Sequence, residues 1–452
     1  MFKLAIAALA VVAVVASAVA NPDAEFVSHF TEKSLRDVGT NESICASNVN
    51  SYAGYYALTA TKHYFYWFFE SQQNPSTDPV ILWLTGGPGC ASELALFYEN
   101  GPCTINDDLS TKANPYSWNT FANLLYVDNP VGAGFSYGLF PVDYDRNEDQ
   151  IANDLYKFIQ DFITAHPEFA KNEFFVFGES YAGHYVPALG YKIYTANQGS
   201  EGKYKINLKG IAIGNGLTDP EVQYRYYPEY AFNNPVKPLI TQAQYNTALA
   251  EVPGCIALIA KCQNGTIACF EAETLCNSEL LSPPLSTGVN QYDISKNCTY
   301  PPLCYDFDNL NRFLAQTTVR DTLGVGKHTW SQCNNLAHEF LTFDWMKNYQ
   351  DKVPPLLASN ITVLVYNGEN DFVCNYKGSK AWTLALDWAG NSGFNAAGDH
   401  TWNGAGGVAA GLARSYGGLT FLQVFKAGHM VPLDQPANAL AMVASVVSHT
   451  PF

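Results

Sequence analysis

Short runs of apolar and aromatic residues recur along the chain, and turn-forming residues such as Gly, Asp and Asn follow them. Bounded runs of this kind predict buried β-strands. Strands that are apolar throughout are expected in a sheet that is covered on both faces. Seven segments fit the pattern: 64–69, 80–84, 124–127, 174–177, 211–213, 361–366 and 419–425.

Amphipathic helical patterns separate several of these runs. In "DQIANDLYKFIQDFITAHPEF" one face of a helix would carry Ile151, Leu155, Phe158, Ile159 and Phe162. Apolar strands that alternate with such helices are typical of a mainly parallel sheet with helices on both sides. The pattern therefore predicts an α/β fold with a central, mostly parallel sheet.

Residues 218 to about 351 interrupt the alternation. This stretch is rich in Tyr, Pro and Asn and contains seven of the eleven cysteines. We interpret it as a cap, stapled by disulfides, that is inserted into one domain spanning residues 21–452.

The overall composition supports a folded protein and limits its partners. Of 452 residues, 47% are hydrophobic and 15% are charged, which provides ample material for a core. The net charge of -16 and the lack of a basic run argue against nucleic acid, because phosphate binding needs clustered Lys and Arg. No nucleic-acid partner is expected.

The first twenty residues have the pattern of a secretory signal peptide. A short basic start precedes the apolar stretch 4–16, and "AVA" at 18–20 supplies the small residues of a cleavage site. No later window has the roughly 20 apolar residues that a membrane span requires. A protein of the secretory pathway without a membrane span is therefore expected.

The cysteines fit an oxidising compartment. Cys255, Cys262, Cys269 and Cys276 recur every seven residues, which suggests that the outer two and the inner two form nested pairs. A metal site is the alternative, but CxxC spacings and nearby paired His are absent, so no metal is expected. In a secreted chain, four Asn-x-Ser/Thr sequons are plausible glycan sites: Asn41, Asn264, Asn297 and Asn360.

Three side chains that could form a catalytic triad follow predicted strands. Ser180 lies in "GESYAG" between a strand and a helix, and Asp371 and His429 follow the last two strands. Reactive groups collect at the carboxyl ends of parallel strands. The chain order Ser, Asp, His is that of the α/β-hydrolases, so an α/β-hydrolase fold is predicted. His would take the Ser proton while Asp fixes its tautomer. His184 is a weaker candidate, because it lies one helical turn beyond Ser180.

An acyl-transfer serine also needs hydrogen-bond donors for the oxyanion. Gly86 and Gly87 follow the strand in "LWLTGGPGCAS" and allow the backbone to approach a substrate closely. The amides of Gly87 and Tyr181 are the expected donors.

At these residues the chain resembles the serine carboxypeptidases of the carboxypeptidase Y and cathepsin A type. Six motifs carry the resemblance in order: "GGPGCAS", "DNPVGAGFSY", "GESYAGHYVP", "GNGLTDP", "NGENDFVCN" and "AGHMVPLDQP". The resemblance implies an enzyme that removes C-terminal residues from peptides, usually best at acidic pH, outside the cell or in lysosomes or vacuoles. It implies no cofactor, peptide or protein C-termini as partners, and a monomer or homodimer.

The resemblance also assigns the substrate-binding residues. It implies that Glu99 and Glu179 bind the terminal carboxylate together with Thr85, which stands where the family has Asn. A buried carboxyl beside another carboxyl keeps its proton, so Glu179 could donate to the substrate. Residues expected to line apolar side-chain pockets are Leu217, Tyr224 and Tyr227 for the penultimate residue, and Met430 and Tyr98 for the leaving residue.

The family arrangement further implies how the cysteines pair. Cys374 matches its free cysteine, and Cys45 and Cys103 are paired by elimination. The implied disulfides are Cys90–Cys333, Cys255–Cys276, Cys262–Cys269 and Cys298–Cys304.

Two other functions are compatible with the motifs. Some plant members of the superfamily are acyltransferases that use sugar esters, and Thr85 resembles a residue found among them. The cathepsin A resemblance allows a protective or binding role toward another protein. Glu99 and Glu179 favour peptide hydrolysis.

Overall fold

The structure is a computed structural model that describes residues 29–35, 44–45, 49–265 and 267–452. The predicted signal peptide and the sequon at Asn41 lie outside the described residues. Strands in chain order are β1 (His29–Ser34), β2 (Ser51–Ala57), β3 (Lys62–Phe69), β4 (Val80–Leu84), β5 (Cys103–Ile105), β6 (Thr111–Ala113), β7 (Asn123–Val127), β8 (Tyr137–Gly138), β9 (Phe174–Glu179), β10 (Leu208–Gly214), β11 (Thr362–Gly368), β12 (His400–Asn403), β13 (Ala409–Tyr416) and β14 (Leu419–Val424).

Helices connect and cover these strands. In chain order they are α1 (Glu93–Tyr98), α2 (Glu148–Ala165), α3 (Ala182–Gln198), α4 (Pro220–Gln223), α5 (Tyr227–Phe232), α6 (Gln242–Cys262), α7 (Ile267–Cys276), α8 (Ser282–Leu285), α9 (Asp308–Leu314), α10 (Thr317–Leu323), α11 (Asn335–Leu341), α12 (Val353–Ala358), α13 (Tyr376–Ala385), α14 (Asn391–Ala397), α15 (Val431–Asp434) and α16 (Pro436–Val447). A π-helical turn, Asn277–Leu281, follows α7.

Twelve strands form one central sheet in the order β1-β2-β3-β7-β4-β9-β10-β11-β14-β13-β12, with β8 paired to β3. The six neighbouring strands β7, β4, β9, β10, β11 and β14 are parallel to one another. All the other strand pairs of this sheet are antiparallel. The prediction of an α/β fold with a mainly parallel sheet is confirmed. All seven predicted strands belong to this sheet, and one of them, β3, is antiparallel to both β2 and β7.

Helices pack on both faces of the sheet. The helix predicted around residues 151–162 is α2, and Asn147 caps it by accepting from the Gln150 amide at 3.0 Å. Its apolar face contacts one side of the sheet, where the Phe158 ring meets those of Tyr56 and Tyr66. On the opposite face, α1 and α16 contribute to a second apolar cluster.

The predicted cap segment lies between β10 and β11 and is mainly helical. Its interior is a third apolar cluster that includes Tyr224, Tyr227 and the two cysteine pairs of α6 and α7. The boundaries of 218 and 351 stay a prediction. Among the described residues we find no helix with the length and hydrophobicity that crossing a bilayer requires.

Disulfides fasten the cap internally and to the sheet. Cys374 is buried and has no disulfide. The Cys90–Cys333 bond joins the cap to the loop after β4, so it connects the two layers that enclose the cavity described below. All five bonds join the cysteines expected from the sequence: Cys45–Cys103, Cys90–Cys333, Cys255–Cys276, Cys262–Cys269 and Cys298–Cys304.

Several carboxyl groups are buried in the fold. Glu93 and Asp128 lie within hydrogen-bonding reach of each other, and burial raises the pKa of both. At the start of α2, burial raises the pKa of Glu148, and neither of its carboxyl oxygens has a hydrogen-bond partner in the described chain. Burial also raises the pKa of nearby Asp344 to about 7. These groups are therefore expected to carry protons in acid.

The packing of α2 predicts the stability cost of a cavity. Phe158 is fully buried, so Phe158→Ala should lower the free energy of unfolding by about 3–5 kcal/mol in urea denaturation. Phe158→Leu should cost less because it leaves a smaller cavity. Lys157→Ala on the exposed face of α2 is the control and should stay within about 0.5 kcal/mol of wild type. Equal effects at both positions would contradict this packing.

Candidate active site

Ser180 occupies a sharp turn between β9 and α3. Its φ of 67° is one that residues with a Cβ rarely adopt. The Ser180 amide donates to Gly214 O at 3.0 Å, and the Ser180 carbonyl accepts from the Leu217 amide at 3.1 Å. A Cβ added to Gly183 would lie 2.5 Å from Leu217 O, so this turn requires a glycine. Such a strained turn lifts a serine hydroxyl above the sheet edge.

Adjacent parallel strands bring the predicted groups to one edge. Thr85 follows β4, Ser180 follows β9, Asn215 follows β10, Asp371 follows β11 and His429 follows β14. These five strands are consecutive neighbours in the sheet. Residues distant in sequence therefore converge above the same edge.

Asp371 and His429 form a buried hydrogen-bonded pair. His429 Nδ1 lies 2.7 Å from Asp371 Oδ2, and the side chains are 4% and 0% exposed, respectively. The same carboxylate oxygen accepts from Asn215 Nδ2 at 2.8 Å and from the Cys374 amide at 3.3 Å. An ionised Asp371 therefore requires a proton on Nδ1 of His429, which leaves Nε2 free to accept one.

Ser180 and His429 both line one cavity of about 480 Å³. No hydrogen bond joins their side chains among the described residues. Catalytic hydrogen bonds are often long in enzymes without substrate and tighten when substrate binds. The placement is therefore compatible with proton transfer from Ser180 to His429.

His184, the weaker candidate for the base, faces away from the cavity. It is fully buried, and its Nδ1 lies 2.6 Å from Leu217 O. Burial lowers its pKa to about 4. Its ring stacks on Tyr181 with 4.5 Å between the ring centres. These contacts are those of a neutral structural residue.

The predicted oxyanion donors lie beside the nucleophile. A Cβ added to Gly86 would lie 2.4 Å from the Tyr181 nitrogen and 2.7 Å from Ser180 Cβ, so the two loops touch through the backbone. Gly87 and Tyr181 both line the cavity. Within the described part of the chain, neither of their amides donates to another protein group. Both can donate to an oxyanion on the substrate.

Glu179, next to Ser180, contacts a second buried carboxyl. Glu179 and Glu99 are 2% and 4% exposed and lie within hydrogen-bonding reach of each other, which requires one of them to be protonated. Burial, reinforced by the charge of Glu99, raises the pKa of Glu179. Burial raises the pKa of Glu99 to about 7. Glu179 lines the cavity, whereas Glu99 lies behind it.

Thr85 also lines the cavity. Its Oγ1 accepts from the Trp83 indole nitrogen at 3.0 Å. Because this bond uses an acceptor site of the hydroxyl, the Thr85 hydrogen can still be donated to a ligand.

Most of the predicted pocket residues line the same cavity. Leu217, Tyr224, Tyr227 and Met430 all contribute to its wall. Tyr98 does not; its ring packs on Phe307, a wall residue, with 5.0 Å between the ring centres.

Ligand-type atoms of Asp371, Cys374 and His429 lie within 4.8 Å of one another, a spacing that a metal ion could bridge. The Asp371–His429 bond already uses two of these groups. Burial raises the pKa of the Cys374 thiol, so it stays protonated and is a poor metal ligand. The donor set therefore does not favour a metal site.

Two residues of interest were missed by the sequence analysis. Asn215 lies within the motif "GNGLTDP", but only the structure shows its bond to Asp371. Glu273 lies on cap helix α7 and lines the cavity, far in sequence from every motif. No local pattern in the sequence indicates its position.

Comparison with known proteins identifies the family. A family model described as serine carboxypeptidase matches residues 42–449. The chain belongs to the serine carboxypeptidase family. A serine carboxypeptidase-like protein of Oryza sativa subsp. japonica is 45% identical over 410 residues, which cover 90% of this chain and 94% of that protein. Carboxypeptidase Y of Candida albicans is 40% identical over 433 residues, covering 94% and 78%, respectively.

A solved structure supports the same assignment. Kex1(Δ)p, a prohormone-processing carboxypeptidase from Saccharomyces cerevisiae, superposes with a TM-score of 0.77 at 26% identity. The match covers 93% of this chain and 91% of that one. This serine carboxypeptidase is therefore a hydrolase that acts on peptides, with an α/β-hydrolase fold.

The Asn215–Asp371 bond predicts a positioning effect. Asn215→Gly can keep the backbone φ of 41° while removing the amide, and we expect kcat to fall about tenfold with little change in KM. Steady-state peptide hydrolysis, with the melting temperature as a fold check, measures this. Asn360→Gly, at another positive φ on the surface, is the matched control in deglycosylated protein. An unchanged kcat for Asn215→Gly would show that Asp371 does not need this donor.

Proposed function

We propose that this serine carboxypeptidase removes single C-terminal residues through an acyl-enzyme on Ser180. The observation that carries the proposal is the buried carboxyl pair of Glu179 and Glu99 beside the nucleophile, in which burial raises the pKa of both groups. An ionised Glu179 at that position would repel both the oxyanion and the substrate's own carboxylate. A protonated Glu179 instead donates to that carboxylate and selects chain ends.

The proposed acylation uses the buried Asp371–His429 pair. His429 Nε2 takes the proton from Ser180 Oγ as Oγ bonds to the carbonyl carbon, and the amides of Gly87 and Tyr181 bind the oxyanion. Asp371 stabilises the imidazolium. His429 then protonates the departing amine, the C–N bond breaks and the free amino acid leaves. A water molecule then gives a proton to His429 as its oxygen bonds to the acyl carbon. His429 returns this proton to Ser180 Oγ as the ester bond breaks, and the shortened peptide leaves with a new terminal carboxyl group.

Terminal-carboxylate binding is assigned to two neutral donors. Glu179 donates its proton to the substrate's carboxylate. The Thr85 oxygen accepts from Trp83, which leaves the hydroxyl hydrogen to donate a second hydrogen bond to that carboxylate. Glu99 acts through Glu179 and lies behind it. Thr85 offers one hydrogen where an amide offers two.

Below the cap, apolar wall residues would hold the penultimate side chain. Leu217, Tyr224 and Tyr227 provide a largely buried apolar surface that suits a bulky side chain. Met430 would contact the leaving residue. A monomeric or homodimeric state remains a prediction.

We assign the protein to the secretory pathway, as a secreted or vacuolar or lysosomal enzyme. Five disulfides require an oxidising route. The sequon residues Asn264, Asn297 and Asn360 are exposed, as glycan addition requires.

The nucleophile assignment predicts complete dependence on Ser180. Ser180→Ala should lower kcat for a blocked dipeptide at acidic pH by about 10⁴-fold or more, because no acyl-enzyme can form. A matched control is Ser278→Ala, at an exposed serine of the cap. Transfer from an acyl glucose, assayed in parallel, tests the acyltransferase alternative. Retention of peptide hydrolysis by Ser180→Ala would overturn the mechanism.

The carboxyl pair predicts a pH dependence of KM. Burial raises the pKa of both Glu179 and Glu99, so the proton that they share is held in acid and is lost only as pH rises well above the ordinary carboxyl range. Peptide KM should therefore rise across that range for wild type. Glu179→Gln donates at every pH and should flatten the rise.

The same peptide with a C-terminal amide is the control substrate. It lacks the carboxylate that an ionised Glu179 repels, so its KM should change much less with pH. If Glu179→Gln shows the wild-type rise with the free acid, another group controls binding.

A further inference from the structure

One acidic side chain lies in the part of the cavity wall that the apolar residues form. Glu273 on α7, followed at four-residue intervals by Asn277 and Leu281, faces the cavity. The Tyr224 hydroxyl donates to Asn277 Oδ1 at 2.8 Å, and the Glu273 charge acts on Tyr224. Glu273 therefore belongs to the recess that Leu217 and Tyr224 help to form.

Glu273 has no cationic partner among the described residues. Within the part of the chain that the structure describes it forms no hydrogen bond or ion pair, and burial alone raises its pKa to about 7. By contrast, Glu229 pairs with Lys377, and Asp399 pairs with Arg414. The residues that line the cavity include no Lys or Arg. A cationic ligand in the cavity could therefore pair with Glu273.

The surroundings suit one kind of cationic ligand. A Lys or Arg side chain has an apolar stem and a charged end. The stem can pack on the Tyr224 and Trp345 rings, which line the same cavity and also attract a cation. The charged end can then meet a carboxylate that is partly removed from water, where an ion pair is screened less than at the surface.

We propose that Glu273 is a specificity-determining residue that lets the cavity accept peptides with Lys or Arg as the penultimate residue. This inference rests on the proposed function, because it assigns the side-chain preference of the same site. It adds a second substrate class to the bulky apolar side chains that the other wall residues favour.

Burial raises the pKa of Glu273 to about 7, so this group changes charge near neutral pH. Burial raises the pKa of Tyr224, Tyr227 and Cys374, so these groups remain neutral there. Burial lowers the pKa of His338, which lines the same cavity and also stays neutral. The preference for a cation should therefore strengthen as pH rises and Glu273 ionises.

The test compares two blocked dipeptides that carry lysine or norleucine as the penultimate residue and leucine at the C-terminus. Norleucine has a similar linear stem without the ammonium group. In Glu273→Gln the ratio of kcat/KM for lysine over norleucine should fall about tenfold at about pH 8. At about pH 5, below the raised pKa of Glu273, the wild-type ratio should already be low.

A ratio of the two substrates separates Glu273 from the rest of the site. Titration of Glu179 and Glu99 affects both substrates alike and cancels. Glu271→Gln, at an exposed glutamate two residues away on α7, is the matched control and should keep the wild-type ratio. A wild-type ratio in Glu273→Gln, or equal losses with both substrates, would overturn the inference.

Binding measurements keep the inference testable without catalysis. Calorimetry with Ser180→Ala, with and without Glu273→Gln, should show that only the carboxylate form prefers the lysine peptide. Equal affinities for both peptides in Ser180→Ala would overturn the role of Glu273. If hydrolysis does not depend on Ser180 but binding still prefers the lysine peptide, the proposed function is overturned and the role of Glu273 stands.

Discussion

The positive φ of Ser180 is the constraint around which the site is arranged. A residue with a side chain adopts this conformation only when its surroundings hold it there. Backbone hydrogen bonds to Gly214 and Leu217 fix the turn, and Gly86 lets the neighbouring loop approach it without a Cβ. The same loop places Gly87, the proposed oxyanion donor, in the cavity wall together with Ser180.

The sheet edge and the cap contribute different groups to the cavity. The edge of the parallel sheet supplies the groups proposed to carry the chemistry, and its register fixes their relative positions. The cap supplies wall residues such as Glu273 and Trp345, which are proposed to contact side chains of the substrate. The Cys90–Cys333 bond links the cap to the loop after β4, so it limits movement of the cap wall relative to the sheet edge. Changes in the cap can alter preference without disturbing the sheet edge.

The sequence predicted the parts of the structure that depend on local patterns. Continuous apolar runs marked all seven predicted strands because such runs suit positions covered on both faces, whereas β2 and β13 contain small or polar residues and were missed. Strand ends followed by Ser180, Asp371 and His429 pointed to their convergence. The bond from Asn215 and the cavity position of Glu273 depend on tertiary packing, so no pattern within one segment reveals them.

Because of its buried carboxyl groups, the folded chain binds more protons than the unfolded chain at the same pH. Glu93, Asp128, Glu148 and Asp344 have raised pKa values in the native state. Unfolding restores their ordinary values, so the unfolded chain releases protons from about pH 4 upward, whereas the native chain still holds them. Their contribution to stability is therefore complete in acid and is lost as pH rises through the native pKa values, about 7 for Asp344. A rise from acidic to neutral pH would therefore lower the stability of the fold as well as the proposed affinity for the substrate's carboxylate.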